Sequence, residues 1–238
     1  MASIVTETKG ATSDAPTRLL KAARKLFADK GLAATSIRDL AQEAGVNVAA
    51  VNYHFGDKEQ LYLETLRFCY RSCASLNERG NQILQSAIDQ GTPQAALDGI
   101  RDYIRELMHA LFFTEDARLQ AKLMFREMSD PTPALEVIIK EFIAPKRELL
   151  CRLIAQANPV LRHDENLTFY AASIIGQILY YRTSLPVFLR LAESEEMTPE
   201  LLDRVAGHIA DFTLAALTNP KLQSNNHSQL KEQENENA

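Results

Sequence analysis

The amino-acid sequence predicts an all-α protein of about nine helices. Apolar residues recur at spacings of three and four along the chain, which is the pattern of amphipathic helices. Glycines and prolines stand where these stripes end, and no segment alternates apolar and polar residues as a half-buried strand would. The 238 residues are 46% hydrophobic and 24% charged, so the chain has enough apolar material for one large or two smaller globular domains.

The first two predicted helices are bounded by capping residues and glycines. The first begins after Asp14, a suitable N-cap, and ends at Gly31. The second follows Thr35 and Ser36, either of which can cap it, and ends at Gly45. Their apolar stripes are Leu19, Ala22, Ala23, Leu26 and Phe27 in the first helix and Ile37, Leu40, Ala41 and Ala44 in the second.

Glycine and proline also divide the rest of the chain. A short third helix ends at Gly56, and a fourth begins near Asp57 and continues to Cys73. Beyond residue 90 prolines are the main separators, and the predicted helices cover residues 93–113, 115–128, 133–157, 166–191 and 198–217. Pro145 lies inside one of these segments, so a kink or a break is expected there.

The composition argues against membrane proteins, secreted disulfide proteins and enzymes. Charge or proline interrupts every long apolar stretch before the ~18 residues of a membrane span, and the N-terminus lacks the features of a secretory signal. Three cysteines do not suggest a disulfide framework, so a reducing cytoplasm is the expected location. There is no Gly-rich phosphate loop, HExxH or nucleophile elbow, and the five histidines are scattered, so neither catalysis nor a metal or cofactor is expected.

The third predicted helix, within GVNVAAVNYHFG (residues 45–56), has an unusual composition for so short an element. With Val51 at the centre of the buried face, steps of 100° per residue place Phe55 near it. The opposite face carries Ala49, Asn52 and Tyr53, flanked by Val48 and His54. A short helix, a glycine-containing turn and a second helix with such a face are typical of a helix-turn-helix, whose second helix enters the major groove of DNA.

Residues on this face of the third helix, and residues of the neighbouring helix ends, have predicted roles on DNA. Base contacts are expected from Val48, Ala49 and Asn52, because small residues allow close approach and an amide can bind adenine through two hydrogen bonds. Contacts to phosphate are expected from Thr35, Ser36, Arg38, Tyr53, His54 and Lys58, and Arg38 can alternatively reach a base edge. Residues 1–60 hold 8 Lys/Arg and 7 Asp/Glu, so the charge at this end permits DNA binding without requiring it.

The segment AARKLFADKGLAATSIRDLAQEAGVNVAAVNYHFGDKEQLYLETL (Ala22–Leu66) closely resembles the TetR/AcrR family of bacterial regulators. The motifs that carry the resemblance are a Phe ahead of a charged pair and Gly, TSIRDLAQEAGV and YHFGDKEQL. The C-terminal part resembles the CerR/CecR-like subgroup through REMSDPTPAL and SIIGQILYYR. Many family members have Tyr at the position of Asn52 and Lys or Arg near Val48, so the base preference of other members is not transferable.

The resemblance implies a domain organisation and a mechanism. We expect a disordered arm over residues 1–13, a DNA-binding domain over 14–62, an effector-binding and dimerisation domain over 63–220 and a disordered polar tail over 221–238. A homodimer would bind a palindromic operator, because two recognition helices about 34–36 Å apart can occupy successive major grooves. The resemblance implies a repressor, since repression is the commoner mode of action in this family. A small-molecule effector would release it by favouring a different arrangement of the dimer.

Two groups of residues are candidates for dimerisation and for effector binding. By analogy with the family, the last two helices would pair with a partner through Ile174, Ile175, Ile178, Leu179, Leu214 and Leu217, unless these residues close the chain's own core. Effector-pocket candidates are Phe68, Tyr103, Met124, Phe125, Met128, Gln177 and Tyr181, each of which could instead be ordinary core. Arg105, His109 and Arg126 could bind an anionic ligand or form surface ion pairs.

A helical protein–protein adaptor without DNA binding is the alternative function. It would explain the amphipathic stripes and the net charge of −5, but not the face of small and polar residues on the third helix. A regulator requires that this face be exposed and held by its neighbours. The position of Ala49, Asn52 and Tyr53 in the folded chain therefore distinguishes the two hypotheses.

Overall fold

The computed structural model describes residues 15–72, 74–113, 117–163 and 167–219, and every regular element in these ranges is a helix. The α-helices are α1 (Ala15–Ala34), α2 (Ile37–Ala44), α3 (Val48–Phe55), α4 (Lys58–Ser72), α5 (Ala74–Gln90), α6 (Pro93–Phe113), α7 (Ala117–Ser129), α8 (Ala134–Ile138), α9 (Ala144–Ala157), α10 (Leu167–Thr183), α11 (Leu185–Leu191) and α12 (Pro199–Leu217). Short π- and 3₁₀-helices cover Ile139–Ile143 and Pro159–His163. The predicted arm and tail lie outside the described residues.

The all-α fold class is confirmed, and the predicted number of nine helices is approximate. The segment predicted over residues 133–157 is irregular at the expected place: α8 continues into the π-helical turn Ile139–Ile143 and then into α9, whose first turn contains Pro145. Proline has no N–H to donate to the preceding turn, so it interrupts the regular α-helical hydrogen bonds there. The segment over 166–191 is divided into α10 and α11 beside Ser184 and Pro186 for the same reason. The predicted fourth helix is followed by a separate helix, α5. No described helix is both long and apolar enough to cross a bilayer.

The chain is divided into two compact units that differ from the predicted domains. The first unit contains α1–α4 together with α7 and α8, and the second contains α5, α6 and α9–α12. The predicted boundary at residue 62 falls inside α4, whereas the first unit includes residues up to Ser72 and resumes at residue 116. The reason is packing: α7 lies against α1 and α4, and α8 lies against α4.

The core of the first unit is formed by the stripes that the sequence indicates. The residues predicted for the buried face of α1 are all buried, and Leu40 on α2 and Val51 on α3 are fully enclosed. Phe55, the second predicted anchor of α3, is only half-buried. Helix α3 is therefore held chiefly by Val51, and most of its remaining surface stays available.

The core of the second unit includes residues that were candidates for a dimer interface. Ile174, Ile178 and Leu217 are at most 2% exposed and pack within their own chain, and Ile175, Leu179 and Leu214 are half-buried. The prediction that these side chains pair with a partner is therefore wrong for the three buried residues, because the core of their own unit already covers them.

Candidate nucleic-acid interface

The turn between α2 and α3 is fixed by capping at both of its ends. Gly45 has φ of 62°, a left-handed conformation that suits glycine, and its N–H donates to the carbonyls of Ala41 and Gln42. A guanidinium nitrogen (Nη1) of Arg18 on α1 donates to the carbonyl of Gly45 at 3.3 Å. The Asn47 side chain caps α3 by accepting from the N–H of Ala49 at 2.9 Å.

Helix α3 presents the face that its sequence predicts. Val51 is fully buried, whereas Ala49 and Asn52 are exposed and Tyr53 is 84% exposed. Val48, in the first turn, is 41% exposed. This confirms the predicted orientation of the helix. The exposed surface consists of small side chains, one amide and one phenol, which is suitable for close approach to the edges of bases.

Aromatic rings continue this face toward the C-terminal end of α3. The rings of Tyr53 and His54 meet edge to face with centroids 5.0 Å apart, and His54 similarly meets Phe55 at 6.4 Å. His54 is half-buried, so its ring is partly held while that of Tyr53 extends into solvent. This contact limits the motion of a side chain whose hydroxyl could donate to a phosphate.

Three phosphate contacts are predicted at the start of α2, and two of these residues, Ser36 and Arg38, are exposed. Thr35 is a correction: its side chain is 1% exposed and its hydroxyl donates to the carbonyl of Gly31 at 2.7 Å, so it is not available to DNA. Ser36 is exposed and caps α2 by accepting from the N–H of Asp39 at 3.1 Å. Arg38 is also exposed, near the N-terminal end of the helix.

Ion pairs between α1 and α2 occupy some of the cations near this surface. Lys25 contacts Glu43 at 2.7 Å, and Lys30 contacts Asp39 at 3.4 Å. The N–H of Ser36, followed by Lys30, holds the pKa of Asp39 below its ordinary value, so this carboxylate stays charged beside the helix end. A phosphate near Ser36 would therefore need a compensating cation, and exposed Arg38 lies within the same turn.

Lys58 occupies the first position of α4, three residues beyond the end of α3. Asp57 caps this helix, because its carboxylate accepts from the N–H of Gln60 at 2.7 Å. Lys58 is half-buried, and no described residue forms an ion pair with it or with Arg38. Both cations are consequently available to compensate phosphate charge.

Sequence reasoning did not assign a role to Asn47 or Arg18. Asn47 could have been found, because an Asn directly before a helical stripe is a common N-cap. No local signal identifies Arg18, since it lies 27 positions from the carbonyl that it contacts. These two residues help to place α3, whose exposed residues are the predicted DNA contacts.

The seven effector candidates are distributed over both units. Phe68, Met124, Phe125 and Met128 belong to the first unit, and Tyr103, Gln177 and Tyr181 belong to the second. Met128 is 44% exposed, whereas Tyr103 is buried. This burial raises the pKa of the Tyr103 hydroxyl to about 12. A groove between α5 and α6 is lined by none of the seven.

The predicted anion ligands outside the DNA-binding surface are engaged at the surfaces of their own units. Arg105 and His109 on α6 approach Asp203 on α12, with His109 Nε2 3.1 Å from a carboxylate oxygen. Arg126 donates to the backbone carbonyl of Asp29 at 3.2 Å. Among the described residues, no group of three or more His, Cys, Asp or Glu side chains is arranged to hold a metal ion.

Comparison with known proteins assigns this architecture to a class and a family. Residues 19–65 match the model of bacterial regulatory proteins of the tetR family. Residues 96–217 match the model of the C-terminal domain of the HTH-type transcriptional dual regulator CecR. With the helix-turn-helix and its exposed α3, these matches define a DNA-binding transcription regulator. The chain belongs to the TetR family and has a CecR-type C-terminal domain.

Individual relatives support this assignment over different parts of the chain. The HTH-type transcriptional dual regulator CecR of Shigella flexneri is 29% identical over 212 residues, which are 86% of this chain and 93% of that protein. The HTH-type transcriptional repressor KstR2 of Mycolicibacterium smegmatis is 47% identical over 49 residues, which are 21% of this chain and 24% of that protein. The second likeness is therefore confined to a short segment.

Solved structures show the same fold. The TetR family regulator PfmR from Thermus thermophilus matches with a TM-score of 0.58 and 22% identity, over 88% of this chain and 97% of that chain. A transcriptional regulator from Rhodococcus sp. Rha1 matches with a TM-score of 0.55 and 20% identity, over 84% of this chain and 96% of that chain.

Proposed function

We propose that this protein is a ligand-responsive repressor that binds a palindromic operator as a homodimer and is released by a small-molecule effector. The observation that carries the proposal is the outward face of α3, where Ala49, Asn52 and Tyr53 are exposed around a single buried anchor, Val51. A helical adaptor would have no need to fix this small, polar face with a glycine turn and an asparagine cap.

The exposed residues divide into two proposed roles on DNA. Val48, Ala49 and Asn52 lie on the part of α3 that would enter the major groove, so they contact bases. Phosphate is contacted by residues that surround this part of the surface, namely Ser36, Arg38, Tyr53, His54 and Lys58. Contacts to phosphate fix the position of the protein on DNA, and contacts to bases select the sequence.

The proposed homodimer rests on the outward faces of α10 and α12. Phe169, Ala172, Gly176 and Tyr180 recur at helical spacing on α10 and are all exposed, with Phe169 67% exposed. Phe212 on α12 is 62% exposed. Large apolar side chains in a row typically mark a protein interface, and small residues between them allow a partner helix to approach. These residues replace the buried ones that the sequence indicated.

The proposed release by an effector is restricted to the second unit. Tyr103, Gln177 and Tyr181 remain candidate contacts there, whereas the other four candidates pack in the unit that contains the helix-turn-helix. Repression is supported by the name of the KstR2 relative, although CecR of Shigella flexneri is named a dual regulator. An effector that binds one dimer arrangement better by ~1–3 kcal/mol would shift operator affinity correspondingly.

The proposal is tested by a mobility-shift assay with DNA from upstream of the coding sequence. We expect the wild-type protein to retard a fragment that contains an inverted repeat. Asn52→Ala should lower the affinity for this operator by ~1–3 kcal/mol and relax the preference at one base position in each half-site. The same change should alter binding to random DNA much less.

Gln82→Ala on α5 is the matched control, because it removes a similar exposed amide from the second unit. It should leave operator binding unchanged. Failure of the wild-type protein to retard any upstream fragment would contradict the proposed function. An equal loss on operator and random DNA for Asn52→Ala would contradict its role in base recognition.

A further inference from the structure

A segment from the middle of the chain packs with the DNA-binding helices. We call α7, the turn 130–133 and α8 the central strap, residues 117–138. The strap lies within the match to the C-terminal family model, yet it belongs to the first compact unit. The chain enters it from the second unit and returns to the second unit after Ile139. The chain therefore passes from one unit to the other at each end of the strap.

The strap is attached to α4 by a buried carboxylate. Glu127 on α7 is fully buried, and its carboxylate accepts three hydrogen bonds. The Tyr62 hydroxyl donates at 2.6 Å, and Thr132 donates its N–H at 2.9 Å and its hydroxyl at 2.8 Å. A buried carboxylate is costly unless it is fully hydrogen-bonded, so these three donors are needed together.

Tyr62 connects this carboxylate to the core around the recognition helix. Its ring is 2% exposed and meets the ring of Phe27 on α1 edge to face at 5.0 Å. Burial, followed by the hydrogen bond to Glu127, raises the pKa of Tyr62 above its ordinary value, so the phenol remains protonated and acts as the donor. Helix α4, which carries Tyr62, packs against α3.

The strap also contacts the C-terminal end of α1. Lys122 forms an ion pair with Asp29 at 2.6 Å, and Arg126 donates to the carbonyl of Asp29 at 3.2 Å. A Cβ on Gly31 would lie 2.8 Å from Arg126, so the guanidinium packs closely against this backbone. The carbonyl of Gly31 in turn accepts from Thr35, directly ahead of α2. The strap thus contacts α1 and α4, the two helices that flank the helix-turn-helix in sequence.

The chain leaves the strap through an irregular helix. Ile139–Ile143 is π-helical and follows α8 without interruption, and the division between the two units falls after Ile139. Single π-helical turns are frequent at functional sites, because they interrupt the regular hydrogen bonds of an α-helix. The polar contacts of Glu127 and Thr132 lie on the strap side of this interruption, within the first unit.

We propose that Glu127 is a positioning residue for operator recognition. By holding Tyr62 it fixes α4, and through α4 the recognition helix α3, to the strap within the first unit. A firmly held α3 accepts one spacing of the half-sites, whereas a loosely held α3 accepts several. This inference rests on the proposed function. It assigns a positioning role to the REMSDPTP segment, whose Glu127 and Thr132 do not lie on the DNA-binding surface.

The experiment measures how strictly the protein selects the spacing of half-sites. Tyr62→Phe removes one donor from Glu127 and changes little else in volume. Affinity is measured for the operator found upstream, for operators with one base pair inserted or removed between the half-sites, and for operators with a substituted half-site base. We expect the preference for native spacing to fall by about fivefold or more, in the range typical of coupling between sites. Discrimination of half-site bases should stay unchanged.

Thr65→Val on α4 is the matched control. Thr65 is also fully buried, but its hydroxyl donates to the carbonyl of Leu61 within the same helix at 2.6 Å. This variant should keep the wild-type spacing preference even if its melting temperature falls. Glu127→Gln should largely keep the preference as well, because an amide can accept from Thr132 and donate to the Tyr62 oxygen.

Each outcome bears on the inference. A spacing preference that is unchanged in Tyr62→Phe, or that falls equally in Thr65→Val, would overturn it, since the bond would then have only a structural role. If Tyr62→Phe does not fold, Thr132→Val removes another donor to the same carboxylate and must lower the preference instead. Absence of any operator binding by the wild-type protein would refute the proposed function itself, and the inference with it.

Discussion

Helices α3 and α10 both present small and aromatic side chains to solvent, but their exposed chemistry differs. On α3 the exposed residues include Asn52 and Tyr53, whose amide and hydroxyl can form hydrogen bonds. On α10 the exposed row consists of Phe169, Ala172, Gly176 and Tyr180, and the Tyr180 hydroxyl is the one polar side-chain group of this row. Small residues allow close approach in both places, and the neighbouring polar atoms are the basis on which we propose DNA as the partner of α3 and a second protein chain as the partner of α10.

The two helices also differ in how they are held. Helix α3 has eight residues with one fully buried side chain, so its position depends on the turn, the cap and the neighbouring helices. Helix α10 has 17 residues, and its buried side holds Ala171, Ile174 and Ile178. A long helix with its own buried stripe can tolerate a changed surface, whereas a short one is sensitive to the loss of a single capping contact.

The largest expected effect comes from Gly176→Arg on α10. A Cβ at Gly176 would meet no atom within 4 Å, so the change should not disturb the folded chain. In the proposed dimer it would bury an unpaired guanidinium from each copy, which costs several kcal/mol. We expect a monomer by analytical ultracentrifugation and a loss of operator affinity of about 100-fold or more, because one recognition helix contacts only one half-site.

Gln82→Arg on α5 is the control for this change, since it adds the same charge at an exposed position away from α10. It should remain dimeric and bind the operator. If Gly176→Arg also remained dimeric with normal affinity, the partner surface would lie elsewhere, and the proposed contrast between α10 and α3 would be wrong.

An intermediate effect is expected from removing the caps of two helices, one in each unit. Asn47→Ala removes the cap of α3. Thr198→Ala removes the cap of α12, because the Thr198 hydroxyl accepts a hydrogen bond from the N–H of Leu201 at 3.2 Å. Each should lower the free energy of unfolding by about 1 kcal/mol. Only Asn47→Ala should also weaken operator binding, by about fivefold, because it frees the first turn of the recognition helix.

Thermal unfolding and operator titration of both variants provide the measurement. The Thr198→Ala protein should retain operator affinity to within about twofold, because distant sites act independently. A matching loss of affinity in both variants would show that general destabilisation, and not the placement of α3, accounts for the effect.

Periodicity was sufficient to predict most of the fold. The stripe of α1, the glycines after α2 and α3 and the break near Pro145 all follow from local rules that depend on neighbours in sequence. These local rules do not predict which segments, distant in the sequence, pack against one another. A stripe shows that a helix face is buried, but not that α7 and α8 cover α1 and α4 and that the first unit therefore extends beyond residue 62.

The same limit explains the errors at the site. The orientation of α3 was predictable because the buried position of one residue, Val51, determines which side every other residue of the helix faces at 100° per residue. Thr35 was misassigned because a hydroxyl can rotate toward a backbone carbonyl, and here it donates to Gly31. Three of the six candidate dimer residues, Ile174, Ile178 and Leu217, are core residues instead. Because α10 is apolar on several sides, periodicity could not distinguish its buried residues from its exposed ones.

The smallest expected effect is that of Lys58→Ala at the start of α4. If this lysine contacts phosphate, its removal should weaken binding to operator and random DNA by a similar, modest factor. The slope of log affinity against log salt should become less negative by about 1 per protomer, because one fewer counterion is released at each contact.

Arg152→Ala on α9 removes the same charge from an exposed position in the second unit and should leave the slope unchanged. A purely structural role of Lys58 would instead lower the melting temperature without altering the salt dependence. Because phosphate contacts contribute to binding without selecting sequence, the change at Lys58 should leave half-site preference intact, whereas the change at Asn52 alters it. These measurements would assign Lys58 to positioning the protein on DNA and Asn52, six residues earlier, to selecting the base sequence.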